Sequence, residues 1–373
     1  MKKIAGAMGA ALLGLVVCCA AALAECPAGN LRAQTPTRVT RDVDAHVSID
    51  APVHLGLLPE ERSVTVQDAR LLSFLDVQPS DLSGAQVVKE EDMHFCYAFD
   101  VYGKAQHFAD GACLYKWSDG NILYSGARGD ALSQLWHYYR AEMTPLPPDE
   151  PLHADAQLAL QRALEAAEAA GVPVSRDGYA CTFLSGEAVA AYAERFDREV
   201  TEGSLKRMDA MSAQADERSG CYAFSFPLLY GGLELEDFFY ISPENGEHVT
   251  AERLEAIVAP DGVLYLSASY AYEATAVRQE VSEVLSLEEA IDALAARLAK
   301  TPPDRPMAVY EIAFAYGLRA TGAGPDGFTL VPCWFFRSIE KELFEGPALE
   351  LERAKDSGTV LYLLSAVDGE WVV

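Results

Sequence analysis

The chain has 373 residues, half of them hydrophobic, which is enough for two or three domains that each bury a core. Its 29 basic and 56 acidic residues give a formal net charge of -27 at pH 7. A surface this acidic repels nucleic acid and anionic lipid headgroups, so the composition argues against binding to either. The same charge keeps an exported, alanine-rich protein soluble.

The first residues have the pattern of an export signal. Lys2 and Lys3 give a positively charged start, and residues 4–23 form an apolar run. The tripeptide Ala-Leu-Ala at 22–24 fits the small-x-small site that signal peptidase cleaves. The pattern predicts a signal peptide over residues 1–24 and an extracytoplasmic mature protein.

Two fates remain open after cleavage. Cys26 lies where a lipoprotein signal places its lipidated cysteine, but Glu25 occupies a position that normally holds a small residue. No later apolar stretch of the sequence is long enough to span a bilayer. We therefore expect a protein that is either secreted or lipid-anchored through Cys26 to the outer face of the cell membrane, with residues 25–37 as a tether.

Hydrophobic periodicity in a first unit, residues 38–145, predicts strands and one helix. Residues 65–68, Thr-Val-Gln-Asp, resemble a capping box and predict a helix that continues to about Asp76. The turn sequence Ser-Asp-Gly-Asn at 118–121 joins two predicted strands. The segments that predict strands are 38–50, 93–101, 111–117 and 121–126.

A proline-rich linker at 144–151 precedes a second unit, residues 152–275. A helix is predicted from about Ala154 to Ala170, because Gly171 then supplies a stop signal. The acidic run at 234–237 lacks the spacing of a calcium loop and is interpreted as a solvated face. The other elements predicted in this unit are a helix at 186–199, a strand at 220–229, and a hairpin formed by 252–258 and 263–272.

The third unit, residues 284–373, begins with the clearest helix of the chain. Ser286 and Glu289 form a capping box at its start. One apolar stripe follows at helical spacing, formed by Leu287, Ile291, Leu294 and Leu298. Strands are predicted at 310–318, 328–337, 346–353 and 358–366.

A short motif occurs in all three units. Cys-Tyr-Ala-Phe stands at 96–99 and at 221–224, and Cys-Trp-Phe-Phe at 333–336 is a looser copy. Each is followed by a turn and a strand that pairs Leu or Val with Tyr. We therefore expect an α+β fold of two to three divergent repeats, each a helix plus an antiparallel β-sheet. Equivalent positions in separate repeats seldom bond, so no disulfide is predicted among Cys96, Cys221 and Cys333.

The last unit resembles a PepSY-like module. Residues 286–290, Ser-Leu-Glu-Glu-Ala, open its helix, and residues 330–336, Leu-Val-Pro-Cys-Trp-Phe-Phe, form its hallmark-like strand. Related modules occur in extracytoplasmic regulators of the YycH and YycI type, which restrain a cell-wall sensor kinase. With its export signal and the strand at 43–47, the whole chain is similar to DUF6034-type lipoproteins of Gram-positive gut bacteria. The resemblance implies a protein that is not an enzyme.

Motifs for catalysis and metal binding are missing from the sequence. It contains no His-Glu-x-x-His, Cys-x-x-Cys, Gly-x-Ser-x-Gly or phosphate-binding glycine loop, and its seven histidines are scattered. His94 and Cys96 share one face of a predicted strand, which is only half a zinc site. We therefore predict no catalytic residue, no cofactor and no metal ion.

Two aromatic clusters are the candidate binding residues, for a groove that takes a peptide or a glycan, although packing would also explain them. They are Trp136, Tyr138, Tyr139, Phe238, Phe239 and Tyr240. The preferred hypothesis is an exported, non-catalytic cell-envelope protein that binds a peptide or protein partner through its sheets. The alternative is an extracytoplasmic hydrolase whose site is assembled from isolated residues. A two-lobed small-molecule receptor would need alternating strands and helices, which this pattern lacks.

Overall fold

The structure, a computed structural model of the chain, describes most of the sequence after residue 34. The described residues are 35–43, 46–55, 64–78, 82, 84–96, 100–146, 154–201, 211–215, 220–241, 248–321, 327–346 and 359–372. The predicted signal peptide 1–24 and Cys26 lie outside them, as do most of the 25–37 tether, most of the 144–151 linker and nearly all of the strand predicted at 346–353.

Strands dominate the architecture. They are β1 (Arg38–Asp42), β2 (Val47–Leu55), β3 (Val64–Leu71), β4 (Val87–Cys96), β5 (Asp100–Phe108), β6 (Cys113–Trp117), β7 (Ile122–Ser125), β8 (Ala180–Leu184), β9 (Cys221–Phe226), β10 (Leu228–Tyr230), β11 (Leu233–Leu235), β12 (Phe238–Ile241), β13 (His248–Ala251), β14 (Leu254–Ala259), β15 (Gly262–Ala268), β16 (Tyr272–Val281), β17 (Met307–Ala320), β18 (Phe328–Glu340) and β19 (Val360–Ser365).

Six helices lie in the described part of the chain. They are α1 (Gly129–Tyr139), α2 (Ala154–Ala170), α3 (Gly186–Thr201), α4 (Met211–Gln214), α5 (Leu287–Lys300) and α6 (Lys341–Phe344). The helices predicted at 154–170, at 186–199 and from Ser286 are confirmed as α2, α3 and α5. Gly171 has a φ of +75° at the end of α2, the left-handed conformation that a helix-ending glycine supplies. No helix among these residues is long and apolar enough to cross a membrane.

The strands form two large sheets and one small one. The first sheet is mixed and has nine strands, with β1-β2-β17-β18-β3-β16 along its main path, β11 beside β17, β10 beside β11, and β19 beside β18. The second sheet is antiparallel throughout, in the order β4-β5-β6-β7-β15-β14-β9-β8. The strands β12 and β13 form a separate ribbon of two.

The predicted α+β fold of helix-plus-sheet repeats is wrong. Of the described residues, 48% lie in strands and 24% in helices. Strands from all three predicted units interleave, because β3, β16 and β18 are neighbours in the first sheet. A repeat would need each unit to build its own sheet around its own helix. Here long-range pairing mixes the units instead.

The repeated cysteine motif occupies unrelated places. Cys221–Phe224 lies in the second sheet, in β9 beside the edge strand β8, whereas Cys333–Phe336 lies in the first sheet, in β18. The first copy begins at Cys96, the last residue of an edge strand, and residues 97–99 fall outside the described chain. Cys221 and Cys333 are free thiols, which confirms the prediction for that pair.

The hairpin of β17 and β18 is the centre of the first sheet. Nearly every residue of both strands is buried, which is typical of strands that are covered on both faces. The buried stripe of α5 belongs to the same core, and Trp334 Nε1 donates a 2.8 Å hydrogen bond to the Leu285 carbonyl. The capping box of α5 is confirmed, with Glu289 N donating to Ser286 Oγ and Ser286 N donating to Glu289 Oε2.

The helix predicted from Thr65 to about Asp76 is also wrong, because β3 occupies this stretch as far as Leu71 and residues 72–76 are not helical. The strand β3 pairs with β16 on one side and with β18 on the other. The residues that resemble a capping box instead form hydrogen bonds to Tyr316 of β17. Gln67 Nε2 donates to Tyr316 Oη at 3.0 Å, and Tyr316 Oη donates to the Thr65 carbonyl at 2.8 Å. Partners distant in sequence therefore override the local helix signal.

Candidate functional site

A cleft of about 940 Å³ opens where the β12–β13 ribbon meets the first sheet. A second cavity of about 470 Å³ shares Asp237, Glu252 and Arg253 with it and continues along the second sheet to α1. Together they form one channel, which we call the charged cleft. Its charged lining residues are Glu236, Asp237, Glu252, Glu255, Glu311, Arg140, Arg253 and Arg337.

The position of Glu236 and Asp237 follows from their apolar neighbours in sequence. Leu235 is buried at the end of β11, where it pairs with Tyr316 of β17. Phe238 is buried at the start of β12, and its ring lies 5.8 Å from that of Phe335. These two buried side chains fix the chain on either side of Glu236 and Asp237 and so hold both acidic residues beside the first sheet. Glu236 is not on the solvated face that the sequence predicts, since its side chain keeps only 20% of its surface exposed.

Arg337 is the centre of the charge cluster in the cleft. Its guanidinium donates to Glu236 Oε1 at 2.8 Å and to Asp237 Oδ1 at 2.9 Å, and Glu311 Oε1 lies 3.4 Å away. It also donates to the Asp237 carbonyl. The side chain of Arg337 is 13% exposed, and the adjacent carboxylates raise its pKa although burial lowers it. One cation thus serves three carboxylates.

Burial disfavours the charged form of two carboxyl groups in the cleft, those of Glu236 and Glu252. Burial raises the pKa of Glu236 to about 7, an effect that Arg337 opposes and that Asp237 and Glu311 reinforce. Burial also raises the pKa of Glu252, helped by the negative charge of Glu255. The cleft therefore holds carboxyl groups whose charge would respond to a cation that enters.

The arginines of the cleft have protein partners. Arg253 Nε donates to Ser225 Oγ at 2.9 Å, and Arg253 Nη2 donates to the Gly178 carbonyl at 2.9 Å. Arg337 is bound as described above. At the far end of the cleft, His137 Nε2 lies 3.0 Å from Glu255 Oε2. Five carboxylates against three guanidinium groups leave the lining net negative.

Neutral groups complete the lining. Phe239 points an exposed ring, 57% accessible, towards the cleft. Tyr310 Oη and Thr359 Oγ1 are 2.7 Å apart on the same wall. Hydroxyl groups also line the two cavities at Ser225, Thr250, Ser267 and Ser269. Such groups both donate and accept hydrogen bonds, as peptide amides require.

The six candidate aromatics do not form one site. Trp136 and Tyr139 are buried beneath α1, and Tyr139 Oη donates to Glu199 Oε2 at 3.2 Å. Tyr138 is exposed on the outer side of α1, with its ring edge-on to Phe196 at 5.3 Å. Phe238 belongs to the core, and Tyr240 lies in β12. Of the six, Phe238 and Phe239 line the cleft, and Phe239 is the one whose ring is exposed there.

The charged residues that build the cleft were not predicted from the sequence. Arg337 was a usable signal, because a lone arginine inside an apolar strand needs a buried partner. Its partners, however, come from β11–β12 and β17, so no local pattern names them. Across the described residues, no group of three or more His, Cys, Asp or Glu side chains is arranged to hold a metal ion.

Comparison with known proteins gives information on the fold. Neither a protein-family model nor a curated protein matches this chain. Among solved structures, the chain is similar to the crystal structure of an uncharacterized protein from Eubacterium rectale ATCC 33656, with a TM-score of 0.59 and 14% sequence identity. The match covers 95% of this chain and 97% of that one. The two proteins share a fold over nearly their whole length.

Proposed function

We propose that this protein is an exported, non-catalytic protein of the cell envelope that binds a basic peptide segment in the charged cleft. The observation that carries the proposal is the unequal lining, in which carboxylates outnumber guanidinium groups and Arg253 and Arg337 are bound to protein acceptors. The export signal at 1–24 supports the location.

A cationic ligand suits the electrostatics of both the site and the chain. The lysine or arginine side chains of a peptide would neutralise Glu252 and Glu255, whose negative charges repel each other in the free protein. The net charge of -27 also steers cations towards the surface and speeds their encounter.

An extended peptide suits the shape and the neutral lining. The two cavities join end to end through Asp237, Glu252 and Arg253, so the site is elongated. Hydroxyl groups along the walls can bond to main-chain amides, and the exposed ring of Phe239 offers an apolar contact for a side chain. These features favour the cleft over the sheet edges as the proposed binding site.

The test uses the mature chain with short fluorescein-labelled peptides of alternating Lys and Ala, or Glu and Ala. We expect the lysine peptide to bind and the glutamate peptide not to bind. Fluorescence anisotropy at physiological salt measures the binding. The double variant Glu252→Gln/Glu255→Gln should weaken binding about tenfold.

The matched control removes the same charge elsewhere. Glu280 and Glu283 are exposed at the end of β16 and beyond it. Glu280→Gln/Glu283→Gln should change binding by less than about twofold, because exposed charges far from a site are screened. Equal losses in the two double variants would show that only overall charge matters and would refute the cleft site.

The second candidate function is an extracytoplasmic hydrolase. The observation that favours it is the pKa of Glu236, about 7, since a carboxyl group that is protonated near neutral pH can act as a general acid. Its test is hydrolysis of the same lysine peptide, followed by mass spectrometry. Cleavage that disappears in Glu236→Gln while binding persists would support the hydrolase over the binding protein.

A further inference from the structure

Three side chains with complementary chemistry meet on the second sheet, far in sequence from the cleft residues. Cys113 begins β6, His107 lies opposite it on β5, and Glu91 lies on β4. The distance from Cys113 Sγ to His107 Nδ1 is 3.3 Å, within hydrogen-bond range for sulfur. His107 Nε2 lies 3.6 Å from Glu91 Oε2, an electrostatic contact longer than a hydrogen bond.

This order of groups is the one that activates a nucleophile. An imidazole in contact with a thiol can take its proton, and a carboxylate on the other ring nitrogen orients the imidazole and stabilises its charged form. The register of the sheet creates the arrangement, because His107 and Cys113 are directly paired across the β5–β6 hairpin.

The other described free thiols are unsuited to reaction. Cys181, Cys221 and Cys333 are buried, whereas Cys113 is partly exposed. Burial raises the pKa of the Cys181 and Cys221 thiols to about 12, and it raises the pKa of Cys333 further. A thiol that stays protonated in an apolar core is inert. Cys113 can therefore be studied in the folded protein with little reaction at these three.

We propose that Cys113 is a nucleophilic thiol that exchanges with low-molecular-weight disulfides, with His107 as its proton acceptor and Glu91 as a positioning residue. The Cys113 proton passes to His107 Nδ1 as the sulfur attacks one sulfur of the disulfide. A new bond to Cys113 Sγ forms while the old sulfur–sulfur bond breaks, and the leaving thiolate takes the proton from His107. The products are a mixed disulfide on Cys113 and one free small thiol.

Surrounding charges select the kind of disulfide. Glu91 and Asp130 both act electrostatically on Tyr115, which is hydrogen-bonded to Cys113. Lys89 is a nearby cation, and its Nζ is paired with Glu91 Oε1 at 2.8 Å. These acidic neighbours favour a cationic disulfide over an anionic one.

The experiment treats the mature protein with cystamine, a cationic disulfide, or with glutathione disulfide, an anionic one. Intact mass and peptide mapping follow the adduct. We expect cystamine to modify Cys113 about tenfold faster than glutathione disulfide does. Cys113→Ser should form no adduct at Cys181, Cys221 or Cys333.

Two histidine variants separate assistance by His107 from simple exposure. His107→Gln should slow the cystamine reaction about tenfold at neutral pH. His94→Gln is the matched control, because His94 is an exposed histidine of the same sheet that pairs with Asp100 at 3.0 Å; its rate should stay within about twofold of the parent.

The positioning role of Glu91 has its own readout. Glu91→Gln should reduce the rate of alkylation by neutral iodoacetamide about threefold at neutral pH and leave it unchanged in alkaline buffer, where hydroxide replaces His107 as the base. Circular dichroism and thermal unfolding verify that each variant is folded. An unchanged rate in His107→Gln, or an adduct that forms first at another cysteine, would overturn the proposal.

Discussion

Arg337 Nη1 donates a 2.8 Å hydrogen bond to Glu236 Oε1 and thereby ties the central strand β18 to the segment between β11 and β12. Because Arg337 also serves Asp237 and Glu311, its removal would leave three carboxylates facing one another. The contact therefore links the stability of the fold to the shape of the charged cleft.

We expect Arg337→Met to lower the free energy of unfolding by about 3 kcal/mol, since removing one partner of a buried ion pair strands the other. Chemical denaturation at neutral pH measures this. Arg305→Met is the control, because Arg305 is 71% exposed in its pair with Glu340 and should contribute less than about 1 kcal/mol. Similar losses in the two variants would show that the burial of Arg337 is unimportant.

The pKa of Glu236 predicts how stability depends on pH. Folding raises that pKa from 4.5 to about 7, so the folded state holds a proton that the unfolded state releases. This contribution is fully present below pH 4.5 and is lost as pH rises towards 7; its size is at most about 3 kcal/mol.

Thermal unfolding across this interval checks the prediction. Glu236→Gln should show a shallower decline in Tm between about pH 5 and about pH 8 than the parent protein does. Raised pKa values at Glu234 and Glu252 act in the same direction, so part of the decline should persist. The control Glu280→Gln should retain the slope of the parent, and a decline equally steep in Glu236→Gln would contradict the assignment.

Tyr316 should stabilise the first sheet through its hydroxyl group. Tyr316→Phe removes one of the two acceptors of the Gln67 amide, leaving Thr65 Oγ1, and Gln67 is only 7% exposed and has little access to water. We expect a loss of about 2 kcal/mol in the free energy of unfolding. Tyr310→Phe, at a less buried hydroxyl, should cost about 1 kcal/mol or less. Chemical denaturation of the two variants in parallel measures the difference between their losses of unfolding free energy. Equal losses would contradict the prediction and would show that the Gln67 amide finds another partner in Tyr316→Phe.

The capping box of α5 should have a measurable effect on stability. Ser286→Ala removes the side chain that accepts from Glu289 N and should cost about 1 kcal/mol. Ser282→Ala, at an exposed position just before the helix, should have an effect within about 0.5 kcal/mol. The prediction fails if the two serine variants unfold at the same denaturant concentration.

Elements with strong local signals were predictable. The helix α5 has its own cap and an apolar stripe, and α2 has a stop signal at Gly171, so neighbouring residues alone define them. The hairpin of β14 and β15 was likewise predicted, because Asp261 and Gly262 mark its turn. The strand β3 was not, since its polar residues are satisfied by Tyr316, about 250 positions away along the chain.

The cleft and the thiol site show the same division. The sequence contains the residues that these sites use, but it does not show which of them lie close together. Their proximity depends on which strands become neighbours, as it does for Arg337 and Glu236 and for His107 and Cys113. Local propensity, capping and hydrophobic pattern act over a few residues and determined the three longest helices and several strands. The order of strands in the two sheets, and with it every candidate site, was decided by long-range pairing and burial, whose free energy depends on partners that no short stretch of sequence specifies.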